Sequence, residues 1–199
     1  MPKTIEFIFD FASPNAYLAY HALAGVVART GAELRLNPCL LGGIFKATGN
    51  QAPMLAFANV AGKREYDMLE MRRFIALHGL DRFRMNPHFP VNSLLLMRGM
   101  VAAGEAARDA YVRAVLPAMW EDGLKMDDPE VVAGVLQAAG LDAQAILEGA
   151  RSDAVKQALA ANTQAAVARG VFGIPTFFVG TEMFFGKERL GQVEAALAG

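Results

Sequence analysis

Cysteine is almost missing from this chain. Cys39 is the only one in 199 residues, so no internal disulfide and no Cys-x-x-Cys pair exists, and a dithiol redox mechanism is excluded. As a nucleophile Cys39 has a weak case, because it follows Pro38 in a strand-to-loop stretch with no nearby His or basic cluster, and it reads as a small packed hydrophobe. Histidine is scarce as well. Three scattered His without a carboxylate at ligand spacing make no metal site. Excess charge of either sign is also lacking: 19 Lys and Arg against 20 Asp and Glu leave a net charge of −1. Phosphate neutralisation needs a surplus of cations, so nucleic acid is not an expected partner. No apolar run approaches the roughly 18 residues of a membrane span, and MPKTIEF runs into a strand without a charged segment followed by an apolar one. The expectation is a cytoplasmic protein with no membrane partner. What is present in quantity is apolar surface, 54% hydrophobic against 20% charged, enough for one well-buried core or one core with a large insertion.

The apolar period changes between Phe11 and Pro14. Lys3 to Phe9 alternates, with Ile5, Phe7 and Phe9 on one face, and Tyr20, Leu23, Ala24 and Val27 then recur at helical spacing. Ser13 is therefore placed as the N-cap and Pro14 as the first helical residue, where a missing N–H costs nothing. A helix start is an anion site, with free amides and the positive end of the macrodipole. From this stretch alone Ser13 is open to two readings, a cap and nothing more, or a cap that also meets an anion.

Gly31 ends that helix, and Ala32 to Leu36 alternates again, so the first part of the chain is a βαβ unit. Leu40 to Pro53 reads as a short helix or turn running into a Gly/Asn/Pro loop. From Ile44 to about Arg169 almost everything is helix or loop. Helices are expected over Lys63 to Leu77, from the Asn92-Ser93 cap to about Ala103, over Asp109 to Trp120 with a kink at Pro117, from Asp128-Pro129 to Gly140, and over 141–150 and 152–169. Arg84 to Val91 is a Pro-punctuated loop. The sheet resumes with a strand at Thr176 to Val179, a turn at Gly180-Thr181 and a returning strand at Glu182 to Phe185, before a closing helix from Lys187 to Leu197. The expected organisation is α/β: residues 1–40 and 170–199, with the helix at about 152–169, form one domain, and residues 41–151 form an all-helical insertion.

Gly173-Ile174-Pro175-Thr176 puts a proline immediately before a strand, where an ordinary sheet has little use for one, and a cis bond would account for it. Taken with FDFASPNAYLA, LLGGIFKATGNQAP, NPHFPVNSL, GVFGIPTFFV and FFGKERL in this order, the chain resembles the thioredoxin fold with a DsbA-like helical insertion. Within that fold it is similar to the glutathione-dependent branch, the 2-hydroxychromene-2-carboxylate isomerases and kappa-class glutathione transferases, over essentially its whole length. The resemblance implies that Ser13 replaces the redox cysteine and hydrogen-bonds the sulfur of glutathione. It implies that Ile174, before a cis Pro175, pairs its backbone with the cysteinyl group, and that Asn50 is the family's loop asparagine. Lys187 and Glu188 would hold the γ-glutamyl end, where the commoner pair is Ser-Asp or Asn-Asp. A homodimer and a small aromatic carboxylate substrate are further implications.

The residues agree with that chemistry. Ser13 has no credible activating base, since His21 lies eight residues along the same helix, roughly 12 Å away at 1.5 Å per residue. It is a poor nucleophile and a good donor to a thiolate that the cofactor brings. Lys46 is either the partner of a substrate carboxylate or a solvated surface lysine. Lys63, Arg64 and Arg84 are further basic candidates, and His88 is a possible hydrogen-bond partner for substrate. Met68, Met71, Met97, Met100 and Trp120 are spaced as core positions. Three functions follow. The favoured one is a glutathione-dependent isomerase interconverting 2-hydroxychromene-2-carboxylate and trans-o-hydroxybenzylidenepyruvate through a transient adduct, in aromatic hydrocarbon catabolism. The others are a kappa-class-like transferase whose product is the thioether, and a non-enzymatic binding module without glutathione affinity.

Overall fold

The computed structural model describes residues 3–198; Met1, Pro2 and Gly199, the outermost positions of the expected domain ranges, lie outside the described residues. A four-stranded sheet has the order β2-β1-β3-β4. Strand β1 (Thr4–Phe9) pairs parallel with β2 (Glu33–Pro38) and antiparallel with β3 (Thr176–Val179), which pairs antiparallel with β4 (Glu182–Phe185). Because β1 is central, both its faces are covered, and Ile8 is as fully buried as Ile5, Phe7 and Phe9. The Phe7 and Phe177 rings, 4.8 Å apart, carry the core across the β1–β3 pair.

Helix α1 (Pro14–Thr30) ends at Gly31, whose φ of 66° is the left-handed turn that glycine accepts most readily. Its buried residues are Ala16, Tyr17, Leu18, Ala19, Ala22, Leu23 and Val26, while Ala24 is exposed. The apolar face expected through Ala24 is thus displaced. A helix this rich in alanine is apolar nearly all round, so its periodicity leaves the facing ambiguous.

Helices then follow in series: α2 (Leu41–Thr48), α3 (Pro53–Ala56), α4 (Lys63–His78), α5 (Leu94–Ala102), α6 (Gly104–Trp120), α7 (Pro129–Ala138), α8 (Ala143–Gly149) and α9 (Asp153–Ala168). One turn of helix, α3, occupies what reads in sequence as loop, and α6 begins at Gly104, ahead of the expected Asp109. Pro117 lies inside α6. A 3₁₀ turn (Lys187–Arg189) precedes α10 (Leu190–Ala198), dividing the expected closing helix. Helix α1 packs against α10, α9 and α5 against β2, and α2 against α9. Buried side chains form one continuous cluster from the sheet through Trp120 to Leu136 of α7. Met97, Met100 and Trp120 are in that core and Met71 packs at its edge, but Met68 is exposed, because α4 buries only Phe74.

Close approach of α5 and α6 depends on Gly99. A Cβ there would meet the Tyr111 ring, with Cζ at 2.9 Å, and Tyr111 is fixed by donation from its hydroxyl to the Leu96 carbonyl at 3.0 Å. Gly99→Ala is expected to cost about 1–3 kcal/mol by overpacking and to lower Tm by about 3–10 °C. Thermal unfolding checks this, and an unchanged Tm would contradict the contact.

Candidate active site

The site forms where β1 ends and α1 begins. Ser13 is the N-cap in extended conformation (φ −92°, ψ 113°), and its Oγ accepts from the Ala16 N–H at 3.1 Å. The same hydroxyl donates to the Ile174 carbonyl at 3.3 Å, across 161 positions. The Ile174–Pro175 peptide is cis, as is Phe89–Pro90. Gly186 N–H donates to the Pro175 carbonyl at 2.9 Å and Thr176 Oγ1 to the Gly173 carbonyl at 2.7 Å, which fixes the turn around Ile174. No described residue accepts from the Ile174 N–H, although Ile174 is buried. A buried backbone donor rarely stands unpaired in a finished fold.

Asp10 is the residue that the sequence reading missed. It is fully buried, its Oδ1 accepts from Ala12 N–H at 2.9 Å, its Oδ2 accepts from Leu41 N–H at 2.7 Å, and the Ser93 side chain also bonds to it. Its carbonyl accepts the Ser13 N–H at 3.2 Å. Ser93, expected to cap α5, makes no cap bond; Asn92 Oδ1 instead accepts from Leu94 N–H at 3.0 Å. Burial raises the pKa of Asp10, and the bonds from Leu41, Ala12 and Ser93 oppose that rise. The available signal was an acid inside the apolar run Phe9-Asp10-Phe11.

Two further contacts tie the start of α1 to the end of α6. Trp120 Nε1 donates to the Phe11 carbonyl at 2.9 Å, and the Tyr17 hydroxyl donates to Glu121 Oε1 at 2.9 Å, with Arg82 on the other carboxylate oxygen at 2.6 Å. Burial, reinforced by Glu121, pushes the Tyr17 hydroxyl far above its ordinary value, so it remains a neutral donor. Asn15 Oδ1, two residues after the cap, is buried without a partner.

The other expected site residues divide. Asn50 Nδ2 donates to the Phe172 carbonyl at 2.7 Å, which brings it to the cis-proline loop. Lys187 is buried, pairs with Glu188 and lies over the Phe74 ring at 5.2 Å, while Glu188 stays half-exposed. His88 is exposed on a loop held by Asn86, whose Nδ2 donates to the Met119 and Leu124 carbonyls at 2.7 and 2.8 Å. Lys46 lines a cavity between α2, α5 and α9 to which no residue of the Ser13 cluster contributes. Lys63 pairs with Asp67, and Arg84 Nη1 donates to the Asp81 and Phe83 carbonyls. Arg64 is exposed. His21 packs against Tyr17 and Tyr20, ring centroids 4.5 and 5.4 Å away, and burial holds its pKa below the ordinary value.

Cys39 is buried, its thiol pushed up to about 12, first by burial. Among the described residues no group of three His, Cys, Asp or Glu could hold a metal ion. What surrounds Ser13 is a hydroxyl, a helix start and an unpaired amide, all of them groups that favour an anion and none of them a base.

Residues 4–198 match the DSBA-like thioredoxin domain family. The chain is 33% identical over 198 residues to a 2-hydroxychromene-2-carboxylate isomerase of Pseudomonas sp. (strain C18), covering 98% of this chain and 90% of that one. It is 26% identical over 206 residues to glutathione S-transferase kappa 1 of Homo sapiens, covering 96% and 88%. A solved 2-hydroxychromene-2-carboxylate isomerase superposes with a TM-score of 0.83 at 31% identity, over 98% of this chain and 94% of that one.

Asp10 gives a pH signature. Its native pKa lies above the reference 3.8. Between 3.8 and the raised value the native state keeps a proton that the unfolded state has released, so stability falls as pH rises through that window and the whole cost is present above it. Thermal unfolding from about pH 3.5 to 7 should show wild-type stability falling relative to Asp10→Asn as pH rises. A difference independent of pH would contradict this.

Proposed function

The chain belongs to the 2-hydroxychromene-2-carboxylate isomerase family of the DsbA-like thioredoxin fold, and from that membership we propose that it interconverts 2-hydroxychromene-2-carboxylate and trans-o-hydroxybenzylidenepyruvate with glutathione as cofactor. The observation that carries the proposal is the Ser13–Ile174 contact at the start of α1. One orphaned polar group fits a glutathione molecule there, the Ile174 N–H as a donor. Ile174, beside Pro175, would pair with the cysteinyl backbone, and Asn50 would border the same peptide. Glu188 would take the γ-glutamyl ammonium, with Lys187 fixing the position of that carboxylate from below. Bound glutathione supplies a thiolate that can add to a conjugated double bond and leave again.

Ser13 turns its hydroxyl proton from the Ile174 carbonyl to the sulfur and keeps accepting from Ala16, so the helix start orients the donor. A hydrogen bond to a charged group is worth about 1.5–3 kcal/mol. A helix terminus gives about 0.3–1 kcal/mol, rising to about 2 when partly buried. The hydroxyl is therefore the larger contribution, and together the two suffice to lower a thiol pKa by about two units, or 2.7 kcal/mol. Trp120 and the Tyr17–Glu121 pair keep the start of α1 in place while the hydroxyl reorients. His88, exposed on its Pro-rich loop, is a proposed substrate contact.

A homodimer is also proposed, supported by the exposure of Met54, Leu55, Phe57 and Val60 around α3. Among the described residues no helix is long and apolar enough to cross a membrane. Dependence on reduced glutathione suits the cytoplasm, which is the proposed location.

Turnover with a panel of chromene carboxylates is expected to require glutathione without consuming it. Ser13→Ala should lower kcat by about tenfold or more, in keeping with a lost hydrogen bond to an anion. Stoichiometric loss of glutathione into a thioether would favour the transferase reading suggested by the kappa-class relative. Isomerisation at full rate without glutathione would contradict the mechanism.

A further inference from the structure

Between α2, α5 and α9 lies a cavity of about 420 Å³, within the size range of small-ligand sites. Leu40, Leu94 and Leu159 give it apolar walls. Three cations line it, Lys46 of α2, Arg98 of α5 and Lys156 of α9, and no carboxylate does. The walls are held by close contact, since a Cβ on Gly43 would come 3.1 Å from Thr163 Cγ2 and the Leu40 N–H donates to Thr163 Oγ1 at 3.0 Å.

The cations are unequally engaged. Lys156 pairs with Asp153 at 2.9 Å. The side chains of Lys46 and Arg98 make no hydrogen bond or ion pair with another described residue, and Arg98 Nε is buried with no acceptor. A buried donor without a partner costs about 1–3 kcal/mol. Arg98 also borders a smaller cavity of about 320 Å³ that contains Asp127, but that carboxylate is already paired with Lys125 at 2.7 Å.

We propose that the α2–α5–α9 cavity is a binding site for a small apolar carboxylate, with its hydrocarbon body on the leucines and its carboxylate between Arg98 and Lys46. The charge pattern selects an anion and the leucine walls select an apolar body, so neither inorganic anions nor neutral arenes satisfy both. Occupancy is independent of glutathione at Ser13.

Calorimetric titration of the full chain with 2-naphthoate tests it, with 2-naphthylmethanol as the neutral counterpart. The carboxylate is expected to bind, and the alcohol to bind at least about tenfold more weakly. Lys46→Met and Arg98→Met should each weaken naphthoate by about tenfold, a loss of about 1.4 kcal/mol, whereas Ser13→Ala and added glutathione should not change its affinity. Lys46 is exposed, so Lys46→Met reports on the site even if Arg98→Met unfolds. Absence of binding, equal affinity for the alcohol, indifference to Lys46→Met, or loss of binding in Ser13→Ala would each overturn the proposal.

Discussion

A carboxylate shut away from water ties together the starts of three helices. Asp10 accepts from Ala12 just ahead of α1, from Leu41 at the first position of α2, and from Ser93 at the cap of α5. Each of those termini presents free donors and the positive end of a dipole, so the three together offset part of the desolvation that burial imposes on the acid. The constraint holds the turn after β1 against the starts of α2 and α5. With Asp10 fixed, the Ser13 N–H reaches the Asp10 carbonyl, Ser13 becomes the N-cap, and the hydroxyl comes to Ile174. An acid beside the proposed thiolate site would be a poor choice if its charge faced the sulfur. Here its oxygens face backbone amides and Ser93, so the field it contributes is already met within the scaffold.

The same economy governs the rest of the site. The thioredoxin scaffold brings a helix start and a cis-proline loop together, and this chain has Ser13 at that meeting point while burying its one cysteine at Cys39. In the proposed function the protein supplies the groups that stabilise a sulfur anion, and the sulfur comes from glutathione. Trp120 and Glu121 make that arrangement stiff, since they bind the turn and the first turns of α1 to the last turn of α6. Packing between insertion and sheet is thus continuous with the positioning of Ser13, which is why one core serves both.

Local chemistry was legible in the sequence and tertiary facing was not. Ser13-Pro14 fixes a helix start because the cap hydroxyl and the missing proline N–H both belong there, and Gly31 and Gly140 mark ends through backbone conformations that suit glycine. Ile174 and Asn50 are named in sequence because their motifs carry the family resemblance, and both lie at the cis-proline loop. Asp10 was passed over because a buried acid becomes intelligible only when Leu41 and Ser93 arrive from distant segments. Ser93 looked like a cap and is instead committed to Asp10. Lys187, which the resemblance assigns to the γ-glutamyl end, is buried against Phe74 of α4, a neighbour that no local pattern announces. Met68 and Ala24 fit a helical period, yet both face out, since a period names a stripe without saying whether anything covers it.

In the proposed function Ser13 and the α1 start stabilise a sulfur anion carried by glutathione. Ultraviolet titration of the thiolate of glutathione bound to the native protein tests it most directly. Ionisation is expected well below the free-thiol value of about 8.5, with part of the shift lost in Ser13→Ala and the helix-start share remaining. Bound glutathione whose thiol titrates as it does free in solution would contradict it.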